Sequence, residues 1–237
     1  MSEIFKFLLF ILFLSSAWSS SLILQENFTT ADYVSYFNRQ CSYTDPTCNN
    51  HYAILTFQNQ TSLRITILPG DQPFQNGSPT DPRTELRMIQ DAIKAGVQYT
   101  ITWNLNVQNY TEGYYFCFFQ LFNANASHPE IMLRWENEQY SLWFNASNQH
   151  IILKGSMQED VGQTSTWRVT ATLKSNNGYL KVERKRSSEN SFSLLGEYTG
   201  QTQSGTDDHY LKIGIYTQHT DVQRLDMYVN DLEIVQN

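Results

Sequence analysis

Polar and apolar residues alternate along 210–218, Tyr-Leu-Lys-Ile-Gly-Ile-Tyr-Thr-Gln. Side chains in a strand point alternately to opposite faces. Leu211, Ile213, Ile215 and Thr217 therefore share one face and can fill a core. Tyr210, Lys212, Gly214, Tyr216 and Gln218 share the other, an unusual set for a merely solvated surface. A glycine in mid-strand often marks close approach by a ligand or another backbone. Taken alone, the segment is also compatible with an ordinary amphipathic strand. The pattern recurs, however. In 83–89, Thr84, Leu86 and Met88 face one way, and Arg83, Glu85 and Arg87 the other. In 119–122, Phe119 and Leu121 oppose Gln120 and Phe122. In 131–135, Arg134 opposes Leu133 and Trp135, which fits either a further cation beside the others or a plain surface arginine.

The rest of the chain predicts an all-β architecture. Strands are expected at 51–57 and 62–67, paired through Asn59, then at 97–107 and 114–122. Hairpins are expected from 130–137 with 139–145, and from 166–175 with 179–186 across Asn176-Asn177-Gly178. Residues 210–218 and 225–235 complete about ten strands, a number that suits a sandwich or jelly roll. The Gly/Pro/Asp/Asn-rich stretch 68–82 reads as a loop, either a plain connection or a flap over a groove. Residues 91–94 read as a short turn. No long helical period, repeat or linker breaks the chain, so 20–237 is expected to form one domain.

Charge and small motifs narrow the function. The chain carries a formal charge of −7, which argues against general nucleic-acid binding. A polyanion would need a local basic patch. Residues 1–19 have the form of a secretory signal: Lys6, an apolar run over 7–14, and small Ala17 and Ser19 before the cut. That run is too short to span a bilayer, so a secreted protein with no membrane association after signal removal is expected. Six sequons, at Asn27, Asn59, Asn76, Asn109, Asn125 and Asn145, agree with secretion, Asn76 being weakened by Pro79. Cys41 and Cys48 are close enough in sequence for a disulfide. Cys117 shares strand parity with Phe119 and Leu121 and reads as a buried core thiol. Trp103, Trp143 and Trp167 read mostly as core, with sugar stacking as the alternative. His209 and His219 flank the tyrosine strand. No pattern suggests a catalytic metal.

Three segments taken together carry a resemblance. Arg83-Thr84-Glu85-Leu86-Arg87, then Gln120-Leu121-Phe122, then Tyr210-Leu211-Lys212-Ile213-Gly214-Ile215-Tyr216-Thr217-Gln218 appear in this order. They resemble the motifs of the alginate lyases of polysaccharide lyase family 7, related to the glucuronan and heparin lyases. The middle motif departs, with Phe122 where the family usually has histidine. The resemblance implies a β-jelly roll, a concanavalin-like sandwich of two antiparallel sheets with a concave substrate groove. It implies β-elimination on a 4-linked uronate polymer without a cofactor, by a monomer. Arg83 and Gln120 would neutralise the uronate carboxylate, since both donate to carboxylate oxygens. Tyr216 would serve as acid, and as base if neighbouring cations lower its pKa. Glu85 would orient the arginines. Arg87, Lys212, Gln218, Tyr210, Phe122 and Arg134 would contact sugars. Two other classes remain open from the sequence. A lectin on the same scaffold would bind an anionic polysaccharide without cleaving it, and a structural coat glycoprotein would do neither.

Overall fold

The computed structural model describes residues 20–42, 44–45, 47–71, 82–89, 91–110, 113–123, 125, 128–218, 221 and 223–237. The expected signal, the sequon at Asn76, most of the 68–82 loop and His219 lie outside them.

Among the described residues, fifteen strands, all paired antiparallel, form two sheets. The strands are β1 (Ser21–Glu26), β2 (Phe37–Gln40), β3 (Tyr52–Phe57), β4 (Gln60–Ile67), β5 (Arg83–Met88), β6 (Gln98–Gln108), β7 (Phe116–Asn123) and β8 (Pro129–Glu136). They continue as β9 (Gln139–Phe144), β10 (Gln149–Ile152), β11 (Ser165–Thr172), β12 (Gly178–Arg186), β13 (Ser193–Gly200), β14 (His209–Tyr216) and β15 (Leu225–Gln236). One sheet runs β13-β12-β11-β6-β15-β4-β3, with β1 added against β15. The other runs β10-β9-β8-β7-β14-β5-β2. This is the expected β-jelly roll.

The hairpins form where turn chemistry allows. Gln58-Asn59 and Asn137-Glu138 adopt positive φ, the twist that tight two-residue hairpins need, and Asn177 does so at the end of the longer β11–β12 connection. Between the sheets lies an aromatic core. Trp103 stacks on Phe119 at 5.0 Å, Phe118 meets Trp167 at 5.2 Å, and Tyr140 meets both Trp167 and Trp135 edge-on. Such pairs add about 0.5–1.5 kcal/mol each beyond their area burial. Cys41 and Cys48 form the expected disulfide. It closes a small loop carrying Asp45, whose carboxylate meets His51, itself held on its other nitrogen by Asp71.

Candidate active site

Strand β14 lies between β7 and β5 in the seven-stranded sheet, and the registers assemble the site. Lys212 pairs with Gln120 on one side and Arg87 on the other. Tyr216 pairs with Arg83 and Cys117, Gly214 with Glu85, and Tyr210 with Phe122. Residues directly paired across a sheet share a face. The three sequence motifs thus supply one continuous polar face. Its side chains are not solvated as on an open sheet: Glu85 is 1%, Gln120 3% and Lys212 4% exposed. They form the floor of a recess.

Gly214 makes this floor possible. Its φ is +153°, and a Cβ there would lie 2.3 Å from the Thr84 carbonyl oxygen. The close approach expected at this glycine is that of the β5 backbone. With no side chain at 214, Glu85 and Gln120 meet across β14, the Gln120 amide donating to the Glu85 carboxylate. Lys212 Nζ lies 3.6 Å and an Arg83 guanidinium nitrogen 3.8 Å from the other carboxylate oxygen. One buried carboxylate therefore faces two cations, with Arg87 adjoining. Burial pulls the Lys212 pKa below its ordinary value; Glu85 opposes this, and Arg83 and Arg87 add to it. The local balance is positive although the whole chain is acidic, which leaves room for an anion.

The aromatic side chains are arranged around these cations. The Arg83 guanidinium lies over the Tyr216 ring, 5.0 Å from its centre, a cation–aromatic contact. Arg87 sits 4.5 Å from the Tyr210 ring, Tyr210 stacks on Phe122 at 5.4 Å, and Lys212 Nζ lies 4.9 Å from the Phe122 ring. Phe122 is thus part of a cation–aromatic stack that holds Lys212 and Arg87. Burial raises the Tyr210 pKa, with Arg87 opposing.

Most expected site residues come together. Arg83, Glu85, Arg87, Gln120, Phe122, Tyr210, Lys212 and Tyr216 share the recess, and Arg134 joins them through its pairing with Cys117. Gln218 lies just past the strand. β14 ends at Tyr216, after which the Thr217 N–H still bonds to Pro82 O of the β5 side and its hydroxyl donates to Tyr115 O. Gln218 is exposed beyond that end. Cys117 is a buried free thiol, as expected, but a bulge between Cys117 and Phe119 breaks the expected parity and places it on the Tyr216 and Arg134 side. Burial pushes its thiol pKa well up. His209 lies on the opposite face from Lys212, fully buried and bridged through its backbone to Ile93. Burial lowers its pKa, and it cannot replace the family histidine from that position. Of the three tryptophans for which core and sugar stacking were both open, Trp103 and Trp167 are core, whereas Trp143 lies on the recess side of β9, paired with Met132, which pairs with Gln120. Its parity, opposite to Leu142 and Phe144, was the available signal.

Known proteins share this fold. Residues 38–234 match the family model described as alginate lyase. Among solved structures, a substituted family 7 alginate lyase A1-II′ in complex with substrate (GGMG) is 11% identical with a TM-score of 0.63, covering 90% of this chain and 97% of that one. Alginate lyase from Corynebacterium sp. is 13% identical with a TM-score of 0.54, over 78% and 81%. One from Pseudomonas aeruginosa is 12% identical with a TM-score of 0.55, over 86% and 99%. At such identities these likenesses speak for the fold. A comparison with curated proteins finds no match. The family model spans most of the chain and both outer motifs, and on that ground the chain belongs to the alginate lyase family, as a polysaccharide lyase.

Proposed function

We propose that this lyase is secreted and cleaves 4-linked polymers of D-configured uronates, polymannuronate or glucuronan, in preference to polyguluronate. The observation that carries this reading is the environment of Tyr216. It shares a recessed face with Arg83, Gln120 and Lys212, while the residue in the family's histidine position is Phe122, packed against Tyr210. Arg83 and Gln120 donate to the uronate carboxylate, which makes the C5 proton acidic. The Tyr216 phenolate, with the Arg83 cation over its ring, removes that proton. The C5 electron pair forms the C4–C5 double bond as the C4–O4 bond breaks. The Tyr216 hydroxyl then returns the proton to O4. One group can do both tasks only when proton and leaving oxygen lie on the same side of the ring, as in mannuronate and glucuronate. Guluronate presents them on opposite sides and needs a second base, which Phe122 cannot provide. The GGMG-bound relative supports a polysaccharide as the partner. The asparagines Asn27, Asn59, Asn109 and Asn125 are exposed, which supports their glycosylation.

Initial rates on defined polymers test the preference. Faster cleavage of polyguluronate than of both D-uronate polymers would overturn it. A selective rise in the guluronate rate in Phe122→His would confirm the reason given.

A further inference from the structure

The row of paired residues that carries Lys212 and Gln120 does not stop at the catalytic strands. It continues through Met132 on β8, Trp143 on β9 and His150 on β10. Trp103, Trp135 and Trp167 are fully buried in the core, whereas Trp143 keeps part of its surface open on the recess side. An indole left there with no core to fill is the kind of apolar platform that receives the CH face of a sugar.

Over part of its ring lies Arg134. Its guanidinium carbon lies 4.7 Å from the Trp143 ring and 5.4 Å from the Tyr115 ring, so two aromatics fix its orientation. Its polar contacts are weak. Glu136 lies at 3.7 Å, Met132 Sδ at 3.9 Å, and its buried Nε has no hydrogen-bond partner among the described residues. Glu136 is shared with His150 at 3.6 Å. A guanidinium held in place with donors unspent recognises a carboxylate, because its planar fork matches two carboxylate oxygens. Strands β14 and β9 are three inter-strand steps apart, ~14 Å at the usual spacing. That separation exceeds one sugar ring.

We infer that Trp143 and Arg134 form a distal uronate-binding subsite, in which the indole stacks a sugar ring and the guanidinium takes its carboxylate. The inference rests on the reading of Tyr216 and its neighbours as the cleavage centre. The subsite holds the polymer at a ring beyond the one cleaved, so it acts on long chains and not on the shortest substrate. It sets chain-length dependence rather than turnover.

Steady-state kinetics on polymannuronate and on the shortest cleaved oligomer test this. Trp143→Ala should raise KM for the polymer on the order of tenfold, the size of a lost aromatic contact, with kcat nearly unchanged. KM for the shortest oligomer should not move, and Trp143→Phe should restore most of the loss. A KM change of equal size on both substrates, or on neither, overturns the subsite. Calorimetric titration with oligomannuronates of increasing length keeps the two readings distinct. A wild-type protein that binds but cleaves nothing overturns the cleavage centre, while a length-dependent affinity that vanishes in Trp143→Ala still supports the subsite. A wild type whose affinity does not grow with chain length overturns the subsite whether or not it cleaves.

Discussion

Replacing Glu85 with glutamine keeps the shape of the side chain and removes a carboxylate from the floor of the recess. Glu85 lies 3.6 Å from Lys212 and 3.8 Å from Arg83, with the Glu85 and Lys212 side chains 2% and 4% exposed. At an effective dielectric of ~20, each pair carries a gross attraction of about 4–5 kcal/mol before desolvation. Desolvation offsets much of that in the intact pair. Removing one partner still costs about 3–5 kcal/mol, because the other charge is left buried and uncompensated. Glu85→Gln should therefore lower unfolding free energy in urea by about 3 kcal/mol at neutral pH. Lys212→Met should also destabilise, since it leaves the carboxylate with Arg83 alone. The double variant should recover part of the combined loss, giving a coupling on the order of 1–3 kcal/mol. A pH arm adds a sign. The Lys212 pKa is already depressed by burial, and losing Glu85 depresses it further. Between that depressed value and about 10.4 the unfolded chain binds more protons than the folded one, so stability rises with pH there. The Glu85→Gln deficit should shrink as pH rises through that window. Additive single variants, or a deficit below about 0.5 kcal/mol, would refute the reasoning.

Three further outcomes are expected. Gly214→Ala should destabilise by about 1–3 kcal/mol and reduce turnover, because its Cβ would meet the Thr84 carbonyl at 2.3 Å; urea unfolding and initial rates together check this. Burial works against the charged His51 imidazole, but Asp71 and then Asp45 outweigh it and its pKa is raised. The stability this provides is complete below about pH 6.5 and is lost as pH rises through the folded value, so His51→Gln should flatten the pH dependence of Tm in that window. Binding of polymannuronate should weaken as salt rises, since exposed charges are screened over about 8 Å at physiological ionic strength, while a neutral glucan should bind poorly at every salt concentration in the same titration.

Strict alternation made the site strands legible. Residues 83–88 and 210–216 point as their parity requires, and the hairpins at Asn137 and Asn177 follow their turn residues. What alternation cannot show is an inserted residue. The bulge after Cys117 leaves both Phe118 and Phe119 in the core and moves the thiol to the other face, and no local pattern announces it. Strands β1, β2, β10 and β13 were also missed. They are short or carry few buried side chains; β13 buries only Leu195. They are held by their pairing with neighbouring strands, which sequence does not display. Gln218 falls past the end of β14, where the Thr217 hydroxyl donates to Tyr115 O, a residue distant in sequence. Contacts between distant segments decided each of these cases.

The central claim is β-elimination through Tyr216, and ultraviolet absorbance of the unsaturated product measures it directly. Purified protein on polymannuronate should generate the absorbance continuously. Tyr216→Phe should lower the rate by at least about 10²-fold, the lower range for loss of a general acid–base group, while binding the polymer as tightly as wild type. Absence of the chromophore from wild-type reactions on polymannuronate, glucuronan and polyguluronate alike, or more than half of wild-type activity in Tyr216→Phe, would contradict the account.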